Sequence, residues 1–134
     1  MIFYYIKLYL VTLVAFFAID MIWLGLVART FYRQQIGYLL APKTNWLAAL
    51  IFYLLFIGGI LVFVVVPGLQ GGTLGSTLLR AAFFGLVTYA TYDLTNLATV
   101  KDWPLTVTLV DLAWGSVLSV LVSLVSSLAG KWLG

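Results

Sequence analysis

Four stretches of the chain stay apolar long enough to cross a bilayer, and three more polar interruptions separate them. A spanning helix needs about 20 mostly apolar residues. The first stretch covers residues 6–28 and the second 46–66, where Pro67 closes it. The third covers 74–98, and the fourth begins at Pro104 and runs over 104–128. The pattern predicts an all-α integral membrane protein, a four-transmembrane-helix bundle forming one domain over 1–134.

The interruptions refine this picture. ARTFYRQQIGYLLAPKTN is the longest and most polar. Its amphipathic middle predicts a short interfacial helix between helices one and two, with Tyr32 and Tyr38 at head-group depth. PGLQGGTLGS is a glycine-rich turn. TVKDWP is so short that the third and fourth helices must be antiparallel neighbours. Pro104 is expected in a first helical turn, where its missing N–H is no loss. The start, MIFYYIKLYLVTLVAFFAID, has no basic region before its apolar run and no convincing small-residue cleavage site. It is read as a retained helix, not a signal peptide.

Composition narrows the chemistry. The chain is 64% hydrophobic and 8% charged, against about a quarter charged for soluble domains. It has neither cysteine nor histidine, which excludes disulfides, thiol nucleophiles, imidazole bases and the commonest zinc and haem ligands. The scattered net charge of +3 argues against nucleic acid and suits anionic lipid head groups. Four spans put both termini on one face. The opposite, loop face carries Arg29, Arg33, Lys43 and Lys101, and the terminal face carries Lys7, Arg80 and Lys131. The positive-inside rule leans, narrowly, to a cytoplasmic loop face.

Three of the four acidic residues, Asp20, Asp93 and Asp111, fall inside the expected spans. Each costs about 3 kcal/mol at the centre of a membrane helix. Asp20 lies nine residues before Arg29, Asp93 eight before Lys101, and Asp111 seven after Pro104. At 1.5 Å per residue, each is roughly 10–14 Å in from the loop face. Three helices are thus expected to present a carboxylate at nearly one level.

The helix faces agree with this reading. Gly85, Tyr89, Asp93 and Asn96 recur on one stripe, with Tyr92 on its flank. Thr108, Asp111, Gly115, Ser119 and Ser123 form another, whose small and hydroxyl residues let helices approach closely. Thr12, Phe16 and Asp20 share a face, with Trp23 one turn further. The second helix offers Gly58 and Gly59 without a charge and is expected to serve packing. IDMIWLG and VDLAWG both read apolar, Asp, two apolar, Trp, with Gly close behind, by internal duplication or by chance.

The candidate polar site is therefore Asp20, Asp93, Asp111, Asn96, Tyr89 and Tyr92, with Trp23 and Trp114 as candidate pocket walls. Close carboxylates do not all ionise cheaply, so at least one is expected to hold a proton near neutrality. Such a group acts as a general acid, a proton carrier or part of a hard-cation site. The alternative is polar glue that only fixes packing, and intramembrane acids favour the functional side. Tyr89, Tyr92, Thr95 and Asn96 either orient a ligand or merely satisfy Asp93. Arg29, Arg33 and Lys101 are candidate head-group contacts, although solvated topology charges explain them as well. Arg80 is expected to snorkel, without a functional role. Carboxylates with Asn and hydroxyls suit Mg²⁺ or Ca²⁺ in principle. No familiar acidic metal motif is present, so neither a metal nor a cofactor is expected.

DMIWLGLVARTFY, LIFYLLFIGGILVFVVVP, GLVTYATYDLTNLATVKDWP and TLVDLAWGSVL carry a resemblance. Over nearly its whole length the chain resembles a bacterial family catalogued as domain of unknown function 2177. That resemblance implies a small multi-spanning protein, expected in the bacterial cytoplasmic (inner) membrane, and it brings no assigned activity.

Function divides three ways. The favoured expectation is binding or transport of a lipid or small amphiphile, with its polar end at the aspartate layer and coupling to a proton. Four helices make a thin wall for transport, so a homodimer joined through the Gly- and Ser-rich stripes is expected. The second is a small membrane enzyme acting on a lipid, with Asp93 or Asp111 as acid or base and Tyr89 or Tyr92 as helper, although no nucleophile motif appears. The third is an accessory subunit whose aspartates are structural.

Overall fold

Apolar runs in lipid leave the backbone no partner but itself, and a helix satisfies its N–H and C=O groups within the segment. The computed structural model, which describes residues 1–134, is helical with no strand. Three of its helices are long and apolar enough to cross a membrane: α1 (Ile2–Val27), α3 (Trp46–Leu69) and α5 (Leu105–Leu133). Helix α4 (Leu74–Thr99) matches them in length. It is less apolar because it carries Arg80, Asp93, Asn96 and a series of threonines. A short helix, α2 (Arg29–Ile36), follows α1 directly, and a turn of 3-10 helix (Gly37–Leu39) follows it.

Several helix ends differ from expectation. Helix α1 starts at Ile2, and its last turn, Trp23–Val27, widens to a π-helix. Pro67 does not close α3. A π turn over Leu61–Val65 precedes the proline, with the Val66 N–H bonded to the Leu61 carbonyl. The widened turn accommodates a residue that has no N–H and whose ring crowds the preceding turn. The helix then continues to Leu69. Pro104 is the N-cap of α5 with extended backbone (φ −72°, ψ 133°), so the first helical residue is Leu105. That helix ends at Leu133, beyond the expected boundary.

Side chains close two helix starts. Asn45 Oδ1 accepts the Ala48 N–H and Thr73 Oγ1 accepts the Ser76 N–H, each at 3.1 Å, filling donors a helix start leaves free.

Helices α4 and α5 run antiparallel at the closest approach in the fold. A Cβ on Gly85 would overlap the Gly115 carbonyl, and one on Gly115 would overlap the Tyr89 ring. This is small-residue packing of membrane type. Gly85, Gly115, Ser119 and Ser123 are all buried there. The stripes expected to form a dimer face are therefore occupied inside the chain, where only residues without bulk let the backbones meet.

Helix α1 lies antiparallel to α5 on its other side. The Tyr4 hydroxyl donates to the Gly130 carbonyl at 2.9 Å, and the Thr12 and Ser126 hydroxyls meet at 2.7 Å. Leu8, Phe16, Ile57, Ile60, Leu118 and Val122 form the apolar core between α1, α3 and α5. Outward-facing residues are also large and apolar, among them Val14, Leu55, Phe63, Leu79 and Phe83. An apolar exterior of this extent suits lipid, not water.

Helix α2 closes the loop-face end. Its Ile36 is buried with Trp103 and Val107, and Tyr32 packs against them. The amphipathic segment is thus a helix, as the pattern predicts, but its apolar side docks on the bundle.

Candidate functional site

The polar side chains at the loop-face end form two connected groups. In the first, Asp20, 5% exposed, accepts a hydrogen bond from Trp114 Nε1 at 3.3 Å. The Trp114 ring stacks on Trp23, with centroids 4.5 Å apart and 9° between planes. The expected pocket walls therefore cover each other. Trp23 Nε1 in turn donates to the Tyr32 hydroxyl at 3.3 Å. That hydroxyl donates onward to Asp111 Oδ1.

The second group is centred on Asp93, which is fully buried. Its carboxyl lies within hydrogen-bond reach of the Asp111 carboxyl. Neither carboxylate has a hydrogen to give, and both Asp93 oxygens lack a donor from the protein. The contact becomes a hydrogen bond only when the pair holds a proton. Thr108 braces the backbone here. Its hydroxyl accepts from Trp103 Nε1 at 3.1 Å and donates to the Asp93 carbonyl at 3.4 Å.

The three acids do not make one cluster. No group of three or more acidic side chains converges to hold a metal ion. Asp93 and Asp111 pair between α4 and α5, and Asp20 stands apart beyond the stacked indoles. Spacing along each helix does not set the lateral distance between the acids, and Asp20 connects to Asp111 only by way of Trp114, Trp23 and Tyr32.

The other candidates divide. Tyr89 is partly buried, with its ring against Gly115 and edge-on to Phe56, centroids 6.2 Å apart. Its hydroxyl lies within electrostatic range of Asp20 and Asp111. Tyr92 is 59% exposed, edge-on to Trp103, and shares a hydrogen bond with Asn96. Tyr92 thus lies on the flank of the stripe, its hydroxyl bonded to Asn96 and still within electrostatic range of Asp93 and Asp111. Arg29, Arg33 and Lys101 are exposed.

Tyr32 joins this hydrogen-bonded network, outside the candidate set that the sequence predicts. It was expected at head-group depth, yet its hydroxyl points inward between Trp23 and Asp111. Burial first, and then the bond to Asp111, hold its phenol above the ordinary tyrosine value, so it remains a donor. The legible signal was the spacing of Tyr32 and Ile36, one helical turn apart on a short amphipathic helix. Tyr38 does stay exposed, donating to the Asp102 carbonyl at 2.5 Å.

Apolar helices with outward-facing Leu, Val and Phe, joined at one end by hydrogen-bonded acids, define a helical membrane protein. The chain belongs to the family described as Predicted membrane protein (DUF2177), whose model matches residues 5–128. No curated protein and no solved structure matches it.

Proposed function

We propose that the chain is a four-span membrane protein that binds a lipid or small amphiphile beside the Asp93–Asp111 pair, with proton uptake coupled to occupancy. The observation carrying this reading is Asp93. A fully buried carboxyl with no protein donor to either oxygen is costly to keep merely for packing. Beside a second carboxyl it is suited to gain and lose a proton as its surroundings change. Helix α4 crosses the bilayer in this reading, because α5 covers Gly85 and Asp93, the exposed Thr91, Thr95 and Thr99 give their hydroxyl hydrogens to backbone carbonyls one turn back, and the other exposed positions include Leu79, Phe83, Leu86, Val87 and Leu94. Tyr32 replaces Tyr92 as the hydroxyl partner of the pair, and α2 covers the site from the loop face. A homodimer, if transport requires one, would use a face other than the small-residue stripes.

Native mass spectrometry of the gently purified protein, wild type beside Asp93→Asn, tests this. A discrete bound molecule in the wild type that is lost from the folded variant is the expected result. Identical spectra from two equally folded samples would remove the coupled site. Two hydrogen bonds favour a second reading, in which the acids only fix the assembly: Trp114 to Asp20 and Tyr32 to Asp111. In that case Asp→Asn changes alter stability or partner recovery and no ligand.

A further inference from the structure

Far from the aspartates, two hollows meet at one side chain. The larger is a groove of about 740 Å³ along α3 and α4, walled by Phe63, Leu79, Phe83, Leu86 and Val87. Its size and apolar lining match small-molecule sites, which span roughly 300–1,000 Å³. The smaller is a cup of about 210 Å³ where the end of α3 meets the start of α4, formed by Pro67, Gly68, Gly72, Ser76 and Thr77. It has no apolar lining side chain apart from the proline ring. Arg80 lines both hollows.

Arg80 has no carboxylate within reach. The four acids all belong to the loop-face end of the chain, and Asp93, on the same helix, is thirteen residues away, about 20 Å along the axis. Arg80 is six residues into α4, which starts at Leu74, or about 9 Å from its beginning. A guanidinium at that depth beside an apolar groove calls for an anion. Its flat fork of donors fits phosphate oxygens in pairs. The groove beside it accepts a hydrocarbon chain. One molecule combining a phosphate with an acyl chain satisfies both hollows.

We propose that this is a phospholipid site, with the phosphate against Arg80 at the cup and one acyl chain along the groove. It rests on the reading of α4 as a spanning helix and is independent of the Asp93–Asp111 pair.

The test is native mass spectrometry of the full chain in detergent with three separate probes. These are dioleoylphosphatidylglycerol, dioleoylglycerol (the same chains without phosphate) and glycerol phosphate (the phosphate without chains). The proteins are wild type, Arg80→Gln, Val87→Trp and Asp93→Asn, each shown to be folded by its melting temperature. Arg80 and Val87 are exposed, so their replacement leaves the core intact. Wild type should retain one phosphatidylglycerol and neither fragment. Arg80→Gln should retain it about tenfold more weakly, the scale of one charge-assisted contact. Val87→Trp, which fills the groove, should also retain it poorly, and Asp93→Asn should match wild type. Equal retention by Arg80→Gln overturns the proposal. So does equal retention of dioleoylglycerol, which means an apolar groove only, or of glycerol phosphate, which means a free-phosphate site. Failure of folded wild type to retain phosphatidylglycerol overturns it as well. Loss of the lipid from Asp93→Asn but not from Arg80→Gln would sink this site and leave the aspartate site standing.

Discussion

Trp114 gives its indole N–H to Asp20 on α1 while its ring lies flat on Trp23 of the same helix. The relationship has a reciprocal. Trp23 gives its N–H to Tyr32, which gives its hydroxyl hydrogen to Asp111 on α5. Each tryptophan follows an aspartate by three residues, and each serves the other helix's aspartate, once directly and once through Tyr32. IDMIWLG and VDLAWG thus meet crosswise on antiparallel helices. Shared spacing alone showed the likeness and not the exchange.

Trp114→Phe keeps an aromatic ring for the stack and removes the donor to Asp20. The buried acceptor then loses a partner, at about 1–3 kcal/mol. Thermal melting in detergent should show a clear drop for Trp114→Phe and almost none for Trp132→Phe, whose side chain is 86% exposed. Equal melting temperatures would mean the Asp20 contact contributes nothing.

Tyr32→Phe removes one hydroxyl that both accepts from Trp23 and donates to Asp111. The expected loss is about 2 kcal/mol, larger than for Tyr38→Phe, whose hydroxyl bonds at an exposed position. The same melting assay compares the two, and a greater effect of Tyr38→Phe would contradict the inward position of Tyr32.

Asp93→Asn gives Asp111 an amide donor and removes the need for a proton in the pair. It should melt at or above the wild-type temperature near neutral pH. Asp93→Leu leaves the facing Asp111 carboxyl without its partner and should cost about 3 kcal/mol or more. Asp102 is exposed, as its position in a loop predicts, but its φ of 59° lies in the left-handed region. Asp102→Leu should therefore cost about 1–2 kcal/mol, while Asp102→Gly should be neutral or better. If Asp93→Leu is tolerated as well as Asp102→Gly, Asp93 does not occupy the buried position.

Gly115→Ala puts a methyl group into the Tyr89 ring and the Gly85 carbonyl. Overpacking of this kind costs about 1–3 kcal/mol. At Gly58, nothing lies within 4 Å of an added Cβ, so Gly58→Ala should be harmless or mildly stabilising through its helix propensity. Chemical denaturation of both variants in the same detergent gives the comparison, and a reversed order would place the close helix contact elsewhere.

What the sequence disclosed follows from periodicity. Spacings of three and four put Gly85, Tyr89, Asp93 and Asn96 on one face of α4, and Thr108, Asp111, Gly115, Ser119 and Ser123 on one face of α5. Burial follows that pattern, complete at every one of these positions except Tyr89 and Asn96, which are partly buried. Periodicity states which residues share a face without stating what the face meets. The stripes consequently read equally well as a dimer seam. Tyr92, three residues after Tyr89 and four before Asn96, falls on the flank of the α4 stripe, where its ring is half exposed and edge-on to Trp103. Tyr32 escaped because its partners come from two other helices. Pro67 looked like a stop because a π turn has no plain compositional mark.

The link between α4 and α5 is Val100–Pro104, a few residues turned by the left-handed backbone of Asp102 and fixed by Trp103. On the four-span reading, this has a consequence for biogenesis. Two helices so tightly joined would enter the membrane as one hairpin, and each would bring a carboxylate that hydrocarbon rejects if met alone. Within such a hairpin, Asp93 and Asp111 would already face each other, as they do in the fold. Lengthening the link would then matter first to insertion, by letting each charged helix be judged on its own, and only afterwards to the stability of the finished protein.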